Sequence, residues 1–198
     1  MNAIFDVGGV IIEWKPDEIL AKLFPDDAAR RNFKKNAFAH PDWTEMDGGT
    51  LTEEDAVGRF SERTGMAVHE IENILERTKA FLTLKQDTFD LLKELREKGV
   101  ALYCLSNMPS ENYEFFKEKY SLFDIFDGTV ISSHVKMLKP DPAIFEYIIE
   151  TYGLEPADTV FVDDTGANVA AAKKLGFMTV LFDNAENCRK KLHELGVI

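Results

Sequence analysis

From Gln86 to the C-terminus, short apolar runs alternate with longer amphipathic stretches. Val100–Leu105, VALYCL, is apolar throughout, as a strand buried on both faces of a sheet would be. Thr159–Val162 and Phe177–Phe182 read the same way, and Phe126–Ile131 more weakly. Between them lie patterns of helical period. Gln86–Lys98 stops at Gly99, and Gly166–Leu175 stops at Gly176. Ser110–Tyr120 follows Pro109, with Ser110 expected as its N-cap. Asp141–Tyr152 has Asp141 as cap and Pro142 at the first helical position. Strand–helix alternation of this kind predicts an α/β fold, a parallel sheet with helices on both faces. A first strand is predicted at the N-terminus, where Ala3, Ile4 and Phe5 run into Asp6-Val7-Gly8-Gly9.

Between Pro16 and Phe81 the pattern changes to four helical stretches and no strand: Asp17–Phe24, Asp26–Phe38, Thr52–Thr64 and Val68–Phe81. Thr52 with Asp55 three residues on is close to a capping box. An all-helical block after the first strand predicts an inserted cap over the sheet, residues 15–84, with 1–14 and 85–198 forming the core. The alternative is that these helices pack on the sheet as ordinary layers. Residues His40–Thr50, HPDWTEMDGGT, read as a loop between two of the helices, with His40 closing the first of them. This loop carries Trp43, Met46 and Asp47 and is placed to descend over the site. Trp43 is expected chiefly to pack between cap helices. Trp14 and Lys15 sit where the block leaves the sheet and would line an entrance.

Composition narrows the function classes. Hydrophobic residues make up 45% of the 198 positions and charged residues 29%, which suits a packed domain. A net charge of -12 argues against a general role on nucleic acid or anionic membrane. The two cysteines, Cys104 and Cys188, cannot build a disulfide framework, and no Cys/His metal spacing occurs. No signal-peptide pattern opens the chain, and no apolar run approaches a membrane span. A soluble protein of a reducing cytoplasm is the expectation; oligomeric state is not legible.

The candidate chemistry sits at strand ends, outside which ligands bind in open parallel sheets. Asp6 ends the first strand, Ser106 and Asn107 end YCLSN, Lys139 precedes a helix in MLKPDP, and Asp163 and Asp164 end TVFVDD. Each has an ordinary reading as a cap, a turn or a solvated lysine. All four in order, each after a strand or before a helix, favour a common site. Three carboxylates brought together need a cation, and oxygen-only ligation is what Mg²⁺ prefers, with phosphate completing its shell. A lysine and a Ser/Asn pair beside such a centre suit a phosphoryl group.

In this order the motifs resemble those of the haloacid dehalogenase-like hydrolase superfamily over nearly the whole chain. FDVGGV is similar to its first motif, LSN to the second, Lys139 in KPDPAIF to the third and VFVDDTGANVAAAKKLG to the fourth. The helical block stands where that family carries its C1 cap. DDTGANVAAAKKLG and KPDPAIF resemble more closely the branch of bacterial sugar-1-phosphate phosphatases and the phosphatase domain of soluble epoxide hydrolases. The resemblance implies a Rossmann-like sheet with the first strand central. It implies a Mg²⁺-dependent phosphatase acting on a small phosphorylated metabolite, with a sugar phosphate as one candidate and Asp6 as nucleophile. Ser106 and the Asn107 backbone would hold phosphate oxygens, and Lys139 would offset charge. Mg²⁺ would rest on Asp6, the Gly8 carbonyl and Asp164, with Asp163 assisting. Asn168 would orient the fourth loop or serve as a helix-turn residue.

One position departs from the family pattern. The residue two after the nucleophile is ordinarily an Asp that protonates the leaving oxygen and then activates water; here it is Gly8. Three readings follow. A phosphatase would take its proton from elsewhere, with Glu13 a candidate from the same loop. A metal-free 2-haloacid dehalogenase would need no proton, although Asp163-Asp164 argues against it. A non-catalytic binding protein would need neither, although Asp6, Lys139 and Asp164 are all present.

Overall fold

The computed structural model describes residues 1–198. Five short parallel strands form one sheet in the order β3-β2-β1-β4-β5. They are β1 (Asn2–Phe5), β2 (Ala101–Ser106), β3 (Gly128–Ile131), β4 (Thr159–Asp163) and β5 (Met178–Leu181). The first strand is central: Phe5 lies in register with Cys104 on one side and Val162 on the other. The C-terminal ends of β1, β2 and β4 therefore meet, which brings Asp6, Ser106 and Asp163 to one edge.

Side chains alternate across the sheet as strand geometry requires. Ala3 and Phe5 face a large apolar cluster, whereas Ile4 belongs to a smaller one on the opposite face. After β3 comes the single turn α8 (Ser132–Val135), and the smaller cluster is closed by helices α9 (Pro142–Tyr152) and α10 (Gly166–Lys174) through Ile144, Phe145, Ile148 and Ala172. The larger face is covered by α6 (Gln86–Glu97), α7 (Ser110–Tyr120) and α11 (Ala185–Glu194). Helix α11 lies beyond the alternation read from sequence. Asn184 caps it, accepting from the Asn187 amide at 2.9 Å.

The helical block contains α1 (Pro16–Leu23), α2 (Asp27–Phe33) with a π-helical extension to Phe38, α4 (Glu53–Thr64) and α5 (Val68–Phe81). Between α2 and α4 the sequence reading needs correction. His40–Thr50 is not a loop but contains α3 (Pro41–Asp47). His40 is the N-cap of α3 rather than the end of α2, its Nδ1 accepting from the Asp42 amide at 3.2 Å. Pro41 then opens the helix at a position where its missing N–H costs nothing. Ser110 likewise caps nothing; it is the first residue of α7, and its Oγ lies 3.1 Å from the Ser133 Oγ. Thr52 does cap α4, its Oγ1 accepting from the Asp55 amide at 3.1 Å.

Both ends of the block leave the sheet side by side. Glu13 N–H donates to the Thr83 carbonyl at 2.8 Å and Lys85 N–H to that of Ile11 at 2.8 Å, an antiparallel neck centred on Ile12 and Leu84. Past this neck the apolar interior does not divide. One cluster runs from Phe5, Ile11 and Leu91 through Leu20, Phe33, Phe60 and Ile71. No helix is long and apolar enough to cross a membrane. Cys104 and Cys188 are both free and buried.

A shared interior predicts one unfolding transition. Phe33→Ala, in the block but fully buried, is expected to destabilise the whole chain by about 3–5 kcal/mol. Calorimetry and urea titration read this out. Two resolved transitions, with only one displaced by the substitution, would show that the block folds by itself.

Candidate active site

Asp6 follows the last residue of β1, where Val7 N–H donates to its Oδ1 at 2.7 Å. Lys139, from the segment before α9, reaches the same oxygen at 2.9 Å and Asp163 Oδ2 at 2.7 Å. Neither contact engages Asp6 Oδ2. The Lys139 side chain is 1% exposed and that of Asp163 fully buried, so this ion triad sits out of water. Asp163 is held further by the Thr165 amide at 2.7 Å and by Asn168 Nδ2 at 3.0 and 3.1 Å. Asn168 therefore does orient the fourth loop, one of the two roles read for it.

Asp164 completes a group in which carboxylate oxygens of Asp6, Asp163 and Asp164 all lie within 4.8 Å of one another. Asp164 has no cationic partner; its contact is Thr165 Oγ1 at 3.3 Å. Burial raises the Asp6 carboxyl to about 6, with Lys139 opposing the rise and Asp163 adding to it. Burial and Asp163 likewise raise Asp164. Burial alone would lower Lys139, but the Asp6 and Asp163 carboxylates outweigh it and hold the ammonium above the usual lysine range. One lysine among three carboxylates leaves an excess of negative charge. An all-oxygen cluster of that kind fits a hard divalent cation.

The two glycines behind Asp6 turn out to differ. Gly9 has φ +75°, and a Cβ there would stand 2.0 Å from Asp164 Oδ2, so no side chain is compatible with that carboxylate. Gly8 has no such φ, and a Cβ built on it meets nothing within 4 Å. Sterics demand glycine at position 9 only.

The open space at Gly8 belongs to a cavity of about 90 Å³. Its walls include Trp14, Trp43, Leu82, Phe116, Asn107 and Asp47. Trp14 and Trp43 stack with centroids 5.8 Å apart, so Trp43 both packs among the block helices and faces the cavity. Lys15 points elsewhere and pairs with Glu13 at 2.7 Å, which takes that glutamate out of the cavity. A larger depression, about 710 Å³, lies between α3 and Lys136–Ala143; Asp6, Gly8, Asp163 and Asp164 are not among its walls. The smaller one adjoins the carboxylates: Gly8, two residues after Asp6, and Asn107, next to Ser106, are among its walls. The Ser106 hydroxyl is buried without a geometric hydrogen bond, and it lies near enough to Asp6 to help lower that carboxyl. The Asn107 side chain is already engaged, accepting from Lys139 N–H and donating to its carbonyl, both at 2.9 Å. It fixes the Lys139 backbone, and only its main chain remains for a ligand.

The haloacid dehalogenase-like hydrolase model matches residues 2–176. The chain belongs to that family. A sesquiterpene phosphatase of Aspergillus oryzae is 29% identical over 187 residues, 94% of this chain and 92% of that protein. D-Ribitol-5-phosphate phosphatase of Bacteroides thetaiotaomicron is 29% identical over 96% of each chain. The fold is shared with a family enzyme from the same bacterium, solved as an aspartate-to-alanine mutant with magnesium and inorganic phosphate. That structure has a TM-score of 0.75, 26% identity, and coverage of 92% of this chain and 93% of its own. As a member of this family, with relatives named as phosphatases, the protein is a hydrolase.

The ion triad makes a stability prediction with a definite sign. Lys139→Ala strands two buried carboxylates against each other and should cost about 3–5 kcal/mol at neutral pH. Raised in the folded state, the Asp6 carboxyl binds its proton more tightly there than in the unfolded chain. Lys139 lowers that carboxyl in the intact protein, so in the variant it titrates above about 6 and its repulsion is relieved before pH 5 is reached. Urea titrations at pH 5 and pH 8 should show the smaller loss at pH 5.

Proposed function

We propose that the protein is a magnesium-dependent phosphatase of a small phosphate monoester, working through a phosphorylated Asp6. The observation that carries this is the Asp6 carboxylate itself. It stands at the end of the central strand with one oxygen fixed by Val7 N–H and Lys139 and the other engaged by neither. A carboxylate so oriented is a positioned nucleophile. Its Oδ2 attacks phosphorus, an aspartyl-phosphate forms, and the bond to the ester oxygen breaks. Water then attacks the same phosphorus, and the electron pair of the acyl-phosphate bond returns to Asp6. Lys139 stays charged throughout and offsets the negative charge gathered between Asp6 and the phosphoryl oxygens. Ser106 Oγ and the Asn107 main chain receive those oxygens.

Asp6, Asp164 and the Gly8 carbonyl would hold Mg²⁺, with Asp163 behind them fixing Lys139. The ion supplies charge stabilisation for the transferring phosphoryl group. The same unbalanced carboxylates weigh against a metal-free dehalogenase, and the orientation of Asp6 weighs against a purely binding role. Residues 15–84 act in this reading as a cap that closes the leaving-group side. The organic part of the substrate enters a cavity whose walls are largely aromatic and aliphatic, with Asn107, Asn112 and Asp47 as its polar points. That lining supports a leaving group with an apolar face. A sugar phosphate is supported by the ribitol phosphatase relative, and a more apolar ester by the sesquiterpene phosphatase relative.

Asp6→Asn is expected to abolish hydrolysis of 4-nitrophenyl phosphate while the fold persists by circular dichroism; full activity in that variant would rule out the covalent route. Mg²⁺ should raise the melting temperature of the wild-type protein. Asp164→Ala should weaken that effect far more than Ser106→Ala, because only the former removes a ligand. Equal magnesium constants in the two variants would make the carboxylate pair structural. A panel of sugar and apolar phosphate esters then reads out the substrate class.

A further inference from the structure

Gly8 leaves a chemical gap and a physical one. It carries no acid, and no atom fills the space its side chain would occupy. The cavity that includes this space is also lined by Asp47, the last residue of α3. The Asp47 carboxylate has no hydrogen-bond or salt-bridge partner in the protein. A half-buried carboxyl with no structural partner, facing a cavity beside a nucleophile, is not explained by packing.

Its position is fixed from the sheet side. The Asp47 carbonyl accepts from Ser132 Oγ, which in turn accepts from the Met108 amide at 2.9 Å. Ser132 is fully buried at the end of β3, and Met108 follows the Ser106-Asn107 pair. One turn further, Lys136 Nζ donates to the Gly49 carbonyl, and Gly49 at φ +64° passes so close to Ser133 that a Cβ would lie 2.3 Å from its carbonyl oxygen. The end of α3 is thus clamped to the segment bordering the candidate phosphate-binding loop. At its other end, buried Asp42 is tied to Arg63 at 2.7 Å, fixing α3 against α4.

We propose that Asp47, from the helical block, performs the proton transfers that an acid at position 8 would perform. This rests on the phosphatase reading above. When Asp6 Oδ2 bonds to phosphorus, the ester oxygen leaves with the electron pair and takes the Asp47 proton, releasing a neutral alcohol. In the second half, water bonds to phosphorus, Asp6 leaves, and the proton lost by water goes to Asp47. The acid is regenerated, and the sum is ester plus water to alcohol plus phosphate. Burial in the cavity, first, and then the nearby Asp6 carboxylate raise Asp47 to about 7, so the protonated form is present at neutral pH. Glu13, the nearer candidate in sequence, is paired with Lys15 outside the cavity.

The test is the dependence of rate on leaving group, measured for wild type and Asp47→Asn across phosphate esters from 4-nitrophenyl to simple alkyl. A general acid matters most for a basic leaving group. Asp47→Asn should therefore lose about 10²–10⁴-fold in kcat/KM on alkyl phosphates and far less on the nitrophenyl ester. With the second half-reaction slowed as well, the variant should release a burst of nitrophenol equal to the enzyme concentration. Gly8→Asp placed on the Asp47→Asn background should restore alkyl ester hydrolysis, since position 8 has room for the side chain. Active wild type with an Asp47→Asn variant of unchanged leaving-group slope and no burst would overturn this assignment alone. Wild type inert towards the whole series with Mg²⁺ present would overturn the phosphatase reading and this one with it.

Discussion

A buried lysine between two buried carboxylates sets the terms for the rest of the site. Lys139 joins segments that are far apart in the chain, the end of β1 and the end of β4, through one ammonium group. Each of the three charges would be costly alone in an environment without water, and each is tolerable because the others are there. Around this triad the remaining contacts fall into place. Asn168 and the Thr165 amide saturate Asp163, Asn107 grips the Lys139 main chain, and Val7 N–H turns Asp6. Remove the ammonium and the strand ends repel where they now converge.

The triad is balanced only in part. It spends its single positive charge on Asp6 and Asp163 and leaves Asp164 uncompensated at the rim. The result is graded: a fixed, dry ion pair at the bottom and an unsatisfied acidic edge facing outward. Gly9 makes this edge possible, since Asp164 occupies the volume a side chain at position 9 would need. The two residues exclude each other's alternatives, and a side chain at 9 would have to displace the carboxylate at 164.

Much of this was legible in the sequence, and the reasons are particular. β2 and β4 are wholly apolar runs ended by Ser106 and by Asp163, so their burial and their polar ends announced themselves together. Asp6, Lys139 and Asp164 stood at corresponding places along the chain. What escaped were features without a periodic signal. Helix α3 is only seven residues long and lies between Pro41 and Gly48-Gly49, so it read as a loop. His40 read as a helix end because a histidine N-cap depends on which way its ring turns. Ser110 read as a cap, but its hydroxyl faces Ser133 instead. The pairing of an empty space at Gly8 with a carboxylate at Asp47 has no trace in local pattern, because it depends on how α3 docks.

The neck at Ile12 and Leu84 bears on how such a molecule changes over time. The two strands that lead into the helical block are hydrogen-bonded to each other before the block begins. The stem thus closes the loop at its base, and chain added beyond it costs closure entropy that grows only logarithmically with length. The main-chain register of β1 is indifferent to what is grafted above. Such a stem is a splice point: helices above it can be lengthened, shortened or exchanged by insertion and deletion, while the carboxylates below keep their spacing. What limits the exchange is the apolar surface that the new helices must cover, so diversification here is bounded by packing and not by chain connectivity.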